Sequence, residues 1–118
     1  MNEADLKEIT RQFALRVIKL VRALGKGFEK ETIGKQLIRC ATSVGANYRA
    51  VCRARSKADF VAKLAIVEEE ADESCYWMEL IIEAGLMKAE LVGPLLKEGN
   101  ELVAIITASR KTASAKRS

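Results

Sequence analysis

Histidine is absent from the 118 residues of this chain. That removes most acid–base, nucleophilic and zinc chemistry at once. It also excludes a bundle that holds two irons through Glu-x-x-His pairs. There is one proline, and aromatic residues make up only 5% of the chain, which argues against a β-sandwich with many turns. No apolar run approaches the roughly 18–20 residues that span a bilayer. The opening stretch MNEADLKEIT lacks the apolar core of a signal peptide, so a cytoplasmic location is expected. The three cysteines, at 40, 52 and 75, form no CxxC pair. An odd count without a secretion signal reads as reduced thiols, each acting as a small buried hydrophobe. No phosphate-cradling GxxxxGK[ST] loop is present, and GKG at 25–27 is a helix stop.

What is present is helix-forming. Hydrophobic residues make up 49% and charged residues 31%, with Ala, Leu, Ile, Glu, Lys and Arg abundant, so a single globular all-α domain is expected. Four stretches carry apolar residues at three- and four-residue steps. The first spans about Asp5 to Leu24, through Leu6, Phe13 and Val17, and stops at Gly25 and Gly27. The second spans about Thr32 to Ala54, with Thr32 as its expected N-cap and Leu37, Ala41, Val44, Tyr48 and Val51 along its stripe. The third opens on Ser56 and Asp59, a variant of the capping box, and repeats every three or four residues from Phe60 to Ile81, with Gly85 as its stop. It should be about 28 residues and about 42 Å long. The fourth runs from about Lys88 to Ser109, with Pro94 in its first turns. Gly99 occupies a stripe position there and predicts close helix packing.

Short connections force neighbouring helices to run in opposite directions. An antiparallel up-down-up-down four-helix bundle follows, and its 3.5-residue period predicts a left-handed twist. The bundle should occupy residues 1–110, leaving 111–118 as a basic, flexible tail. Apolar residues off the stripes, among them Leu15, Ile66 and Trp77, either widen the buried faces or form a second buried surface, which would be an oligomer contact.

Charge is segregated. The net charge of +4 divides into +3 over residues 1–28, +5 over 29–57, −7 over 58–91 and +3 over 92–118. Such a pattern suits helices that pair by charge, within a bundle or between copies, and it equally suits a basic surface for a polyanion. The acidic run Glu68, Glu69, Glu70, Asp72 and Glu73 reads as an ion-paired or solvated helix face, with no metal or other cofactor expected. Arg39, Arg49 and Arg53 are its natural countercharges, across to a neighbouring helix or to another subunit. The basic cluster Arg49, Arg53, Arg55 and Lys57 falls at the turn between the second and third helices, and these four are the candidate nucleic-acid-binding residues. No aromatic base-stacking motif accompanies them, so binding would rest on phosphates and shape.

The stretch LIRCATSVGANYRAVCRARSKADFVAKLAIVEEEADESCYWMELI resembles a small bacterial four-helix-bundle family encoded in intervening sequences of 23S ribosomal RNA genes. The matching positions are Arg39, a run of small residues, Ser43, Val44, Asn47, Arg55, Ser56, Asp59, Phe60 and Glu73. The resemblance covers about residues 6–110. It departs after the asparagine, where members often carry Glu-Gly and this chain has Tyr48, Arg49 and Ala50. It implies a cytoplasmic bundle that forms a homopentamer and has no established catalysis. It is also similar to the accessory protein of diversity-generating retroelements, a basic pentamer that binds nucleic acid and a reverse transcriptase. On that basis Asn47, Ser56, Asp59, Phe60 and Glu73 are expected to be structural, with Asn47 bonding across to a carboxylate such as Glu73.

The sequence therefore predicts a non-enzymatic, oligomerising four-helix bundle with no catalytic residues. RNA or DNA is the expected partner class, and a reverse transcriptase is a protein partner that the resemblance implies. The alternative is a protein-interaction scaffold whose charges are consumed within its own ring and which binds no nucleic acid.

Overall fold

The computed structural model describes residues 1–115, and these form four helices: α1 (Glu3–Leu24), α2 (Phe28–Val51), α3 (Lys57–Glu83) and α4 (Ala89–Ala115). Among the described residues there is no strand. The particle is elongated, 51 × 21 × 19 Å. α1 packs on α2, α2 on α3, α3 on α4 and α4 on α1, which leaves α1 and α3 on one diagonal of the bundle.

The repeating apolar positions face inward as expected. Phe13, Val17, Leu37, Met78 and Leu102 build one cluster towards the α1–α2 and α3–α4 turns. Val44, Tyr48, Leu64, Val67 and Ile106 build a second towards the α2–α3 turn. Each such side chain contributes roughly 1.5–3 kcal/mol when fully buried. Small residues let backbones approach. An added Cβ at Gly99 would stand 2.9 Å from Cys75 Sγ, 3.3 Å from Met78 Cε and 3.5 Å from Phe13 Cε1. On α2, Gly34 lies against Val21 and Leu24, and Gly45 against Thr10. The hydroxyls of the fully buried Thr10 and Ser74 are paired: Thr10 donates to the Leu6 carbonyl at 2.8 Å, and Ser74 donates to the Glu70 carbonyl at 2.9 Å.

The helix ends follow local chemistry. Asn2 and Asp5 form a reciprocal capping box on α1. α2 begins four residues before the expected cap Thr32, which lies inside the helix. Gly27, at φ 131°, takes a conformation that favours glycine, and its N–H donates to the Glu31 carboxylate at 3.1 Å. Glu29 and Glu31 in the first turn then complement the helix dipole, so no hydroxyl cap is needed. α3 stops at Gly85, at φ 69°.

α4 runs on past Ser109 to Ala115, into the segment expected to be a flexible tail. Its last turns are tethered to α3, where Glu68 accepts from Arg110 and, at 2.9 Å, from the Thr107 hydroxyl. The Arg110 bond, followed by that of Thr107, holds the Glu68 carboxyl below the usual carboxylate range. Residues 116–118 of the expected tail lie outside the described residues.

Two of the three thiols are buried, Cys40 and Cys75, and Cys52 is half-buried. Burial, helped by Asp72 and Glu79, pushes the Cys75 thiol up to about 12, and burial likewise raises that of Cys40. One thiol per folded chain, Cys52, should therefore react rapidly with Ellman's reagent, and all three after denaturation. Equally fast reaction of all three in the native protein would contradict this packing.

A candidate nucleic-acid interface at the α2–α3 turn

The turn between α2 and α3 is short and fixed from both sides. Arg53 N donates to the Ala50 carbonyl at 3.1 Å and Ala54 N to the Val51 carbonyl at 3.0 Å, which tightens the end of α2. Ser56 then adopts an extended conformation and caps α3, its hydroxyl accepting from Asp59 N at 3.0 Å. The Asp59 carboxylate returns to accept from Arg55 N at 3.1 Å, and it also accepts from Lys63 Nζ at 2.9 Å. The Lys63 bond, then that of Arg55 N, holds the Asp59 carboxyl below its ordinary range. Below the turn, Tyr48 and Val51 are buried, and Phe60 packs against the same cluster.

Four cations surround this frame. Arg49, Arg53, Arg55 and Lys57 are all exposed. Among the described residues none of them has a carboxylate within ion-pair distance. Arg53 and Arg55 line one recess, together with Ala50, Asp59 and Lys63. Lys57 lies around the corner in a second recess, beside Phe60, Ala108 and Thr112. Arg49 lines neither recess. The four expected residues thus share one end of the molecule without converging on one point. Lys63 is the member the sequence reading missed. Its position four residues after Asp59, an i,i+4 pair on one helix face, was the available signal.

The acidic residues of α3 are spread over its circumference. Arg39 pairs with Glu70 at 3.4 Å and with Glu73. Glu73 also accepts from the Trp77 indole N–H at 3.0 Å, and Glu68 is taken by α4. Within the chain Arg39 is therefore the countercharge the sequence suggested, while among the described residues Arg49 and Arg53 meet none of these carboxylates. Asn47 does not reach Glu73. Its amide donates to the Ser43 carbonyl at 2.9 Å and to the Ser43 hydroxyl at 2.7 Å, within its own helix. Glu73 sits beside Arg39, eight residues back along α2, and at 1.5 Å per residue that is about 12 Å from Asn47. Among the described residues no three carboxylates or thiols come together as a metal site. No helix there is long and apolar enough to cross a membrane.

The sequence profile described as 23S rRNA-intervening sequence protein matches residues 2–108. The chain belongs to that family. A crystal structure from Bacteroides thetaiotaomicron, of a protein of unknown function in the S23 ribosomal protein family, is 32% identical. The match covers 94% of this chain and 99% of that one, with a TM-score of 0.84. No curated protein matches. In this member of the 23S rRNA-intervening sequence protein family, the matching Ser56 and Asp59 serve the turn, Phe60 serves the core and Glu73 serves the α2–α3 contact.

Proposed function

We propose that this protein is a non-catalytic, cytoplasmic nucleic-acid-binding oligomer, a homopentamer built from antiparallel up-down-up-down bundles with a left-handed twist. The direction of the helices is supported by contacts that climb one helix as they descend the next: Thr10 with Gly45, then Val21 with Gly34. The pentamer and a reverse-transcriptase partner rest on the resemblance to the retroelement accessory protein. The non-catalytic reading is supported by the uses already found for the polar side chains, which cap helices or tie them together.

The observation that carries the nucleic-acid reading is that Arg49, Arg53, Arg55 and Lys57, at one end of the bundle, have no ion-pair partner among the described residues, while the Asp59 beside them is already engaged by Lys63. Free cations on a rigid turn suit phosphates, and a polyanion releases counterions when it binds them. Fluorescence anisotropy with a labelled RNA hairpin and a labelled DNA duplex tests this. Binding is expected at about 50 mM salt and should weaken at least tenfold by about 200 mM. The double substitution Arg53→Glu/Arg55→Glu should abolish it for every sequence alike. No binding at the lower salt would hand the function to the scaffold reading, which is itself favoured by exposed Leu15, Ile66 and Tyr76.

A further inference from the structure

Two exposed faces are used by nothing described so far, and they lie on the diagonal helices. From Thr10 to Leu24, α1 carries basic side chains and no acidic one. Its outermost line is Arg11, Leu15, Lys19 and Arg22, all exposed, with Leu15 at 49%. From Val67 to Glu83, α3 carries acidic side chains and no basic one. Its outermost line is Asp72, Tyr76, Glu79 and Glu83, all exposed, with Tyr76 at 52%. Among the described residues Lys19, Arg22, Asp72, Glu79 and Glu83 have no ion-pair partner, and Arg11 meets only Glu8, at 4.0 Å.

The two lines also match in height. Arg16 pairs with Glu98 of α4, and the next residue, Gly99, touches Phe13 on α1 and both Cys75 and Met78 on α3. Leu15 therefore stands level with Tyr76 across the bundle. One turn back along each helix lie Arg11 and Asp72. One turn on lie Lys19 and Glu79, and two turns on lie Arg22 and Glu83. α1 and α3 both oppose α2 and so rise together.

We infer that this α1 face docks on the α3 face of a second copy of the chain, placed alongside without vertical slip, so that Leu15 meets Tyr76 and the three cations meet the three carboxylates. This rests on the oligomer proposed above and names its contact. The apolar pair supplies burial, and the charges set register and exclude the reverse orientation. Because the two faces differ, the contact is heterologous, and each added copy offers a fresh face until the assembly closes. It consumes Arg11, Lys19 and Arg22 of α1 and leaves the cations of the α2–α3 turn to other partners.

Native mass spectrometry and light scattering on the full chain test the contact. The wild type should be larger than a dimer. Lys19→Glu/Arg22→Glu and Glu79→Lys/Glu83→Lys should each raise the concentration needed for assembly at least tenfold, because two attractions become repulsions. The fourfold variant, with both faces reversed, should assemble within about threefold of wild type, since opposite charges face each other again. Circular dichroism confirms that each variant is helical. A monomeric wild type overturns the oligomer itself. An oligomeric wild type whose double variants assemble equally well overturns this contact alone, as does a helical fourfold variant that stays monomeric.

Discussion

Phe13→Ala should lower the stability of the fold by about 3–5 kcal/mol. Phe13 is fully buried, and its ring is wedged where α1, α3 and α4 meet, against the line of Gly99 and beside Met78. Truncation removes apolar surface and leaves a hole that long, straight helices close poorly, since collapse at one level would drag whole ridges out of register. Against a total stability of about 5–15 kcal/mol, that is a large fraction. The thermal midpoint at fixed protein concentration should fall by about 10–20 °C. Phe60, half-buried at the end of the second cluster, is the matched control: Phe60→Ala should cost less than half as much. Equal losses at the two sites would mean that the centre of the bundle is not where the packing is tightest.

Gly99→Val should be nearly as damaging, by about 3 kcal/mol. Alanine at this position gains about 1 kcal/mol in helix propensity over glycine. That gain meets the contact with Cys75 Sγ, at 2.9 Å from an added Cβ. The Met78 methyl can swing aside, but a cysteine sulfur is one bond from its Cβ and cannot retreat without a rotamer change. Gly99→Ala should therefore be destabilising by about 1 kcal/mol net, and valine, with two further methyl groups, by clearly more. The Cys75→Ala background should rescue Gly99→Ala, with a coupling of about 1–2 kcal/mol in a double-mutant cycle read from urea unfolding. Independent, additive losses would show that the sulfur is not the obstacle.

These sites show what a linear sequence can and cannot convey about this fold. Gly99 stood out because it interrupts an apolar stripe, and a stripe is a local, periodic signal. The same holds for Phe13, for the Ser56–Asp59 cap and for the four helices, whose three- and four-residue spacing fixes a face without reference to any other part of the chain. Thr32 misled because a hydroxyl is a sufficient cap but not a necessary one, and Gly27 with Glu31 supplied another solution upstream. The bond expected between Asn47 and Glu73 failed for a different reason. Both residues were rightly placed on neighbouring helices, but the height at which those helices meet is set by the sum of all the packing between them. The countercharges divided for the same reason: Arg39 came level with Glu70 and Glu73, while Arg49 and Arg53 passed beyond the acidic stretch. Within the candidate interface, the four cations were legible as a run, and their distribution over two recesses was not.

Lys57 and Phe60, at the start of α3, share a recess with Thr112 near the end of α4, so the α2–α3 turn and the close of the chain's last helix occupy the same pole of the rod. Copies standing side by side in one orientation would present all their turns at one rim. Such a particle has a front and a back. An incoming strand would be met by arginines at one mouth, and the opposite mouth would offer the exposed Phe28 and the glycine loops instead.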